Sequence, residues 1–363
     1  MKSKERKSEE INIMSRRLPW LAVGLAIAFM QPANVRAETV ADFYKGKDIT
    51  FIVSAGEGGG YAAYARTFAP YLGNALPGKP KIIVKHMPGA GGIRASLFLF
   101  STAPRDGSAI GLVHSGVPLA PVFGIRAARF DARQFNWLGA MARSEAVCVA
   151  WHTAPIKNAK DLFDKQFVVG GTGGGSQMET YPAMLNKLFG TKIKIVSGYK
   201  GGNSVYLAME RGEVQGRCGG GLNSIRSTRP DWLKDKKVGI PIVFATQASK
   251  EAPGVSTVMD LAKDARTKAI IELVLAPQEM DRPVLAPPGV PAERVAALRK
   301  AFAEAITQKA FLADMSKQGL DVEAVTGEAV ARIIASAYAA PDDVKIAARE
   351  ALAMGEKKKP AKK

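Results

Sequence analysis

Glycine clusters recur along this chain at the points where a short β-branched run gives way to a helical stripe, and that placement leaves few folds open. Four of them follow a strand-like run and open a helix: Ser54-Ala-Gly-Glu-Gly-Gly-Gly60, Pro88-Gly-Ala-Gly-Gly92, Gly170-Gly-Thr-Gly-Gly-Gly-Ser176 and Gly198-Tyr-Lys-Gly-Gly202. A fifth, Gly219-Gly-Gly221, follows a strand that ends at Cys218. The runs 48–53, 81–84 and 109–113 read as strands. Between the first two, Tyr61, Tyr64, Phe68, Tyr71 and Leu72 recur at three- and four-residue spacing, the stripe of a helix; 93–100 reads as the next helix. The pattern restarts with strands at 167–169, 192–196 and 214–218 and helices at 178–189 and 205–209. Strands alternating with helices predict a largely parallel sheet with helices on both faces. Two such series, joined by a long run through 136–151, predict two α/β lobes. In the last third, Val295, Leu298, Phe302 and Ile306 line one helix face, which is expected to pack back on the first lobe.

In open parallel sheets a ligand binds beyond the carboxyl ends of the strands, where helix N-termini present unpaired N–H groups. Glycine there lets the backbone approach a ligand closely. An anion meets several donors and the positive end of a helix dipole, about 0.3–1 kcal/mol per helix end. Clusters from two lobes facing each other predict a cleft for a small anion. His114 ends the strand 109–113 beside Ser115-Gly116 and is a further candidate for its wall.

Competing chemistries find no support. No cluster fits the phosphate-binding Gly-x-x-x-x-Gly-Lys-Ser/Thr or Gly-x-Gly-x-x-Gly, and no Gly-x-Ser-x-Gly occurs. Ser197-Gly-Tyr-Lys200 has the Ser-x-x-Lys spacing of acyl-transfer enzymes, but Gly198, Gly201 and Gly202 disfavour the helix that chemistry needs. His86, His114 and His152 are scattered, and Cys148 with His152 is too few ligands for a metal. The expectation is a binding protein with no cofactor and no metal, not an enzyme.

The chain ends carry a different message. Arg16-Arg17, the apolar run 18–30 and Val35-Arg36-Ala37 have the layout of a cleaved secretory signal over 1–37. The apolar run falls short of the ~20 residues that span a bilayer, which weighs against an anchor. The stretch before Met14 is long for a signal, so translation from Met1 or from Met14 both stay open. Of the net charge of +18, +4 sits in 1–37 and +5 in the lysines after Glu356, leaving about +9 for the body. That favours an anionic ligand; no Lys/Arg run interleaved with aromatics points to nucleic acid. Cys148 and Cys218 each sit in an apolar strand-like run, and sequence leaves open whether they pair.

An ordered set of segments resembles the extracytoplasmic receptors of tripartite tricarboxylate transporters, the Bug-type solute-binding proteins. The set comprises Ile52-Val-Ser-Ala-Gly-Glu-Gly-Gly-Gly-Tyr61 with Ala65-Arg66, Met87-Pro-Gly-Ala-Gly-Gly92, Ala103-Pro-Arg-Asp-Gly107, Gly198–Gly202, Gly212-Glu-Val214 and Leu285-Ala-Pro-Pro-Gly-Val-Pro291. The resemblance implies an α/β, two-lobed, type II periplasmic-binding-protein-like fold with a ligand cleft between the lobes. It implies residues 38–138 as the first part of lobe 1, 139–245 as lobe 2, 246–351 as the return to lobe 1 with C-terminal helices, and 352–363 as a basic tail. It also implies capture of a small organic carboxylate by backbone amides and waters, delivery to membrane subunits of a transporter, a periplasmic location and a monomer. A sensor that signals to a membrane partner through the same cleft is the alternative. Mapped onto this sequence, the cleft would take Ser54, Gly58, Gly59, Gly60 and Tyr61 from the first loop and Gly89, Ala90, Gly91 and Gly92 from the second. His114 and Ser115 join them, and the opposing lobe would give Thr172, Gly173, Gly175, Ser176, Lys200, Gly201 and Asn203, with Lys200 supplying a positive field. One departure stands out: family members commonly carry an aspartate just after the first loop, where this chain has Ala62-Ala63. A ligand without an amino group is therefore expected.

Overall fold

The computed structural model describes residues 38–352; the expected signal, the choice of start codon and the tail beyond Leu352 lie outside them. A short helix α1 (Val40–Tyr44) leads into β1 (Asp48–Val53), α2 (Gly60–Ala75), β2 (Lys81–His86), α3 (Ile93–Ser101) and β3 (Ala109–Leu112). After a long irregular stretch come β4 (Asn136–Ala142) and β5 (Ala146–Trp151). The second series is α4 (Asp161–Asp164), β6 (Phe167–Gly170), α5 (Gln177–Phe189), β7 (Ile193–Val196), α6 (Gly202–Glu210) and β8 (Gly216–Cys218). It ends with α7 (Asn223–Thr228), α8 (Pro230–Lys234) and β9 (Val238–Phe244). The chain closes with α9 (Ala265–Leu275), β10 (Asp281–Ala286), α10 (Ala292–Ile306), α11 (Lys309–Lys317), β11 (Val325–Thr326), α12 (Gly327–Tyr338) and α13 (Asp342–Leu352).

These strands form two sheets, β11-β4-β10-β3-β1-β2 and β7-β6-β8-β5-β9, one per lobe. The βα series supply the parallel pairs β1–β2, β1–β3, β6–β7 and β6–β8. Neither sheet is as parallel as the alternation predicts: β10 and β11 run antiparallel to their neighbours in the first, and β5 in the second. The run through 136–151 is two strands in two different sheets, and the crossing takes place in residues 143–145. The first lobe therefore extends past the expected boundary at 138, because Gly139 and Ala142 still pair with β10. The chain leaves the second sheet after β9. Where the two crossings meet, Ser144 N–H donates to the Gln278 carbonyl at 3.2 Å.

The helical stripes do what their spacing predicts. Tyr64, Phe68 and Leu72 of α2 are fully buried, as is Leu298 of α10, and Phe302 follows closely. The Phe68 ring meets Phe302 edge-on at 5.2 Å and Phe311 of α11 at 5.5 Å. Each such side chain removed from water contributes about 1.5–3 kcal/mol, so α2, α10 and α11 are held as one layer on the first sheet. The final helix goes elsewhere: α13 packs against α5 and α9, burying Ala347, Ala348, Ala351 and Leu352. Among the described residues no helix is long and apolar enough to cross a membrane.

The register of β5 and β8 settles the cysteines. It sets Cys148 directly opposite Cys218, both fully buried, and the two are joined in a disulfide.

Candidate ligand-binding site

Three helix N-termini converge on one cavity of about 50 Å³ between the lobes, space for a few waters. The start of α2 brings Gly59, Gly60 and Tyr61 from the first lobe; the starts of α5 and α6 bring Ser176, Gln177, Met178 and Gly202 from the second. Each start is fixed by its sequence. Ser176 caps α5 by accepting the Met178 N–H at 3.1 Å, whereas Gly59 and Gly201 cap without a side chain, leaving backbone donors bare. A side chain at Gly60 would strike Ser224 Oγ, its Cβ falling 2.6 Å from it, so only glycine lets α2 approach α7 this closely.

Two buried arginines enter the same cavity. Arg282 of β10 is 2 % exposed; its Nη1 donates to both oxygens of Asp281 at 2.6 Å and its Nη2 to Ser224 Oγ at 3.0 Å. Asp281 also accepts from the Tyr61 hydroxyl at 3.1 Å, which in turn accepts the Ser115 N–H at 3.1 Å. The guanidinium lies 4.2 Å from the centre of the Tyr61 ring and 4.9 Å from that of Tyr64, within cation–π range. Burial works against its charge, but Asp281 and the tyrosines hold its pKa above the usual arginine value. Burial likewise pushes the Tyr61 hydroxyl up to about 12, so it stays a donor. Arg282 has φ of 60°, unusual for a residue with a side chain and more so before proline. That backbone turn sends its side chain beside Asp281. Arg217 of β8 enters from the opposite lobe, 1 % exposed, donating from Nη1 to the Tyr206 hydroxyl at 2.6 Å and from Nη2 to the Gly220 carbonyl at 3.3 Å.

His114 stands on the cavity wall, its ring edge-on to Tyr61 with centroids 4.6 Å apart. Its Nδ1 lies 2.9 Å from the Gly91 carbonyl. A carbonyl only accepts, so Nδ1 carries the proton and Nε2 is bare. Burial, aided by the charge of Arg282, lowers its pKa to about 4. The unfolded chain takes up this proton near 6.5 and the folded one near 4, so folding loses stability as pH falls through that window, at up to about 1.4 kcal/mol per unit. Glu179 has the opposite sign. Burial raises its carboxyl, against help from Ser197 and the Gly173 N–H, so its contribution falls as pH rises. Urea unfolding at pH 7 and pH 5 is expected to show a lower midpoint at pH 5 for the wild type, and a smaller difference for His114→Asn. Equal slopes in the two proteins would refute this role for His114.

Of the residues anticipated from sequence, Gly59, Gly60, Tyr61, His114, Ser115 and Ser176 form the cavity wall. Others stand one layer back. Ser54 accepts the His114 N–H at 3.0 Å, and Gly58 packs on the Asn203 side chain. The second loop and its opposite number meet each other across the lobes. Gly91 N–H donates to the Thr172 carbonyl at 2.8 Å, and Ala90, Gly91 and Gly92 lie with Gly89 in a turn of positive φ packed on Gly173 and Gly175. A Cβ on Gly91 would sit 2.4 Å from the Gly173 carbonyl. A second tie runs from Gly56 N–H to the Lys200 carbonyl at 2.9 Å, beside Gly201. Lys200 has its side chain exposed and off the cavity wall, while its carbonyl makes that tie. The positive charges come instead from Arg217 and Arg282. Ala62 is fully buried and also off the wall. Glu179 is fully buried behind the wall, accepting from the Gly173 N–H at 2.9 Å and the Ser197 hydroxyl at 2.9 Å. Sequence reading missed Arg217, Tyr206, Gln177, Ser224 and Arg282. The signal for the arginines was a charge set inside a run that otherwise reads as a buried strand.

Solved structures with this architecture include the periplasmic binding protein BugD, 18 % identical with a TM-score of 0.69, covering 85 % of this chain and 98 % of its own. MatC from Rhodopseudomonas palustris, solved with bound malate, is 19 % identical with a TM-score of 0.66 over 83 % of this chain and 99 % of its own. Rpa4515 from R. palustris, solved with adipate, is 16 % identical with a TM-score of 0.64 over 84 % and 97 %. No curated protein matches by sequence. The likenesses establish the fold, that of the two-lobed periplasmic binding proteins. The sequence profile described as "Tripartite tricarboxylate transporter family receptor" matches residues 65–345. That family and these neighbours are binding proteins, not enzymes. The chain belongs to the tripartite tricarboxylate transporter receptor family.

Proposed function

We propose that the protein is an exported receptor that captures a small organic carboxylate between its lobes and delivers it to the membrane subunits of a tripartite transporter. The observation that carries this is the convergence of three helix N-termini, from both lobes, on one cavity holding two buried guanidiniums. Bare N–H groups, positive dipole ends and arginine forks all favour a carboxylate. Malate and adipate in two structural neighbours support the same ligand class. The ties from Gly91 to Thr172 and from Gly56 to Lys200 link the lobes beside the cavity. Both must part for a ligand to pass, the usual logic of a hinged clamp.

Among the described residues no Asp or Glu lines the cavity wall, so a ligand ammonium would be desolvated with no carboxylate partner. Carboxylates without an amino group are therefore preferred over the matching amino acids, a preference that comes from the whole wall and not from Ala62. Thermal unfolding with succinate, malate, adipate and aspartate tests both statements. A ligand at a thousand times its Kd adds about 4 kcal/mol of stability, several degrees in Tm. At least one amine-free diacid is expected to give such a shift, with succinate above aspartate. No shift beyond about one degree for any of them would defeat the receptor reading, and aspartate equal to or above succinate would defeat the preference.

A further inference from the structure

We propose that Arg217 is the charged anchor of this cleft, taking a ligand carboxylate on its Nε edge, and that its unneutralised charge makes the site select anions. The proposal rests on the carboxylate-receptor reading and names the residue that carries it.

The two arginines of the cavity differ in one respect. Arg282 has its counter-ion in Asp281, while among the described residues no carboxylate pairs with Arg217. Its two bonds go to neutral acceptors, the Tyr206 hydroxyl and the Gly220 carbonyl, and its Nε, like that of Arg282, has no partner, so the missing counter-ion is what sets Arg217 apart. A guanidinium 1 % exposed with a bare donor is unfavourable on its own. What surrounds it adds to the cost. Nη1 lies 3.3 Å from where a Cβ on Gly202 would stand, at the positive end of α6, and the start of α5 lines the same cavity. Both helix ends disfavour a cation and favour an anion. Tyr206 and Gly220 hold one side of the guanidinium plane, and the Tyr206 ring lies 4.9 Å from its centre. The planar group is thus fixed before a ligand arrives, on a residue that lines the cavity. A carboxylate there completes a two-point ion pair of the kind arginine favours.

Such a residue destabilises the empty protein and stabilises the filled one, which distinguishes it from a structural arginine. Thermal unfolding and isothermal titration of wild type, Arg217→Gln and Tyr206→Phe, with succinate, malate and adipate at constant ionic strength, separate the two. Arg217→Gln is expected to melt at or above wild type without ligand, yet to lose about thirtyfold or more in affinity. Tyr206→Phe keeps the charge and frees the fork, and is expected to lose roughly tenfold. A ligand-free Arg217→Gln that melts well below wild type, or does not fold, makes the arginine structural and overturns the proposal. So does a folded Arg217→Gln, or Tyr206→Phe, that binds within threefold of wild type. Wild type that binds none of the three defeats the carboxylate reading instead, and the ligand-free melting of Arg217→Gln then decides by itself whether the arginine is structural.

Discussion

Asp281→Asn is expected to cost about 3–5 kcal/mol of stability, the loss typical when one partner of a buried ion pair is removed. The size follows from what Asp281 neutralises. Arg282 is 2 % exposed and depends on it for both Nη1 bonds. The change is nearly isosteric, so the cost is electrostatic. It strands a second uncompensated cation in a cavity that already holds Arg217, ringed by helix N-termini. Arg282 also holds φ of 60° before Pro283, a conformation that persists only where surroundings enforce it. Two controls make the interpretation specific. Asp281→Asn with Arg282→Met removes both charges and is expected to be more stable than Asp281→Asn alone, because a neutral pair leaves nothing unpaired. A saturating carboxylate is expected to raise the midpoint of the single variant by more than that of wild type, since the ligand supplies the missing negative charge. Urea unfolding measures all three. Asp281→Asn within about 1 kcal/mol of wild type would show that Arg282 finds its compensation elsewhere.

How far the sequence reaches can be seen at individual residues. Glycine followed by a helical stripe located the starts of α2, α5 and α6 because local backbone chemistry determines both. Whether a loop faces the ligand or the opposite lobe depends on how the lobes close, which no local signal carries. Residues 89–92 and 172–175 read as cleft wall from sequence, and the fold adds that they tie the lobes together. Lys200 illustrates the same limit: a cation in a glycine turn reads as an anion site, but its carbonyl is what the fold uses. Arg217 stood in plain view between Gly216 and Cys218, in a strand buried along its whole length. A charge in such a run has to be compensated by something, and that question, asked of the sequence, leads to the cavity. The antiparallel strand β5 escaped because β4 and β5 follow each other without a turn, which reads as one long run.

The second large effect is expected from the disulfide. Cys148 and Cys218 are 70 residues apart, and closing a loop of that length restricts the unfolded chain by about 4 kcal/mol. The bond has a local role as well. β8 spans only Gly216–Cys218 and carries Arg217 in its middle, held by β5 on one side and β6 on the other. Cys148→Ala with Cys218→Ala is expected to lower the urea midpoint by an amount equivalent to about 2–5 kcal/mol, and to weaken carboxylate binding by loosening the strand that aims Arg217. Both sulfurs are fully buried, so a mild reductant is expected to leave the folded protein oxidised and to act only once urea has opened the second sheet. Oxidised and reduced protein with the same urea midpoint would rule out a stabilising role. Rapid reduction of the folded protein without denaturant would show instead that β5 and β8 separate readily, and that the second lobe is far less rigid than a fixed Arg217 requires.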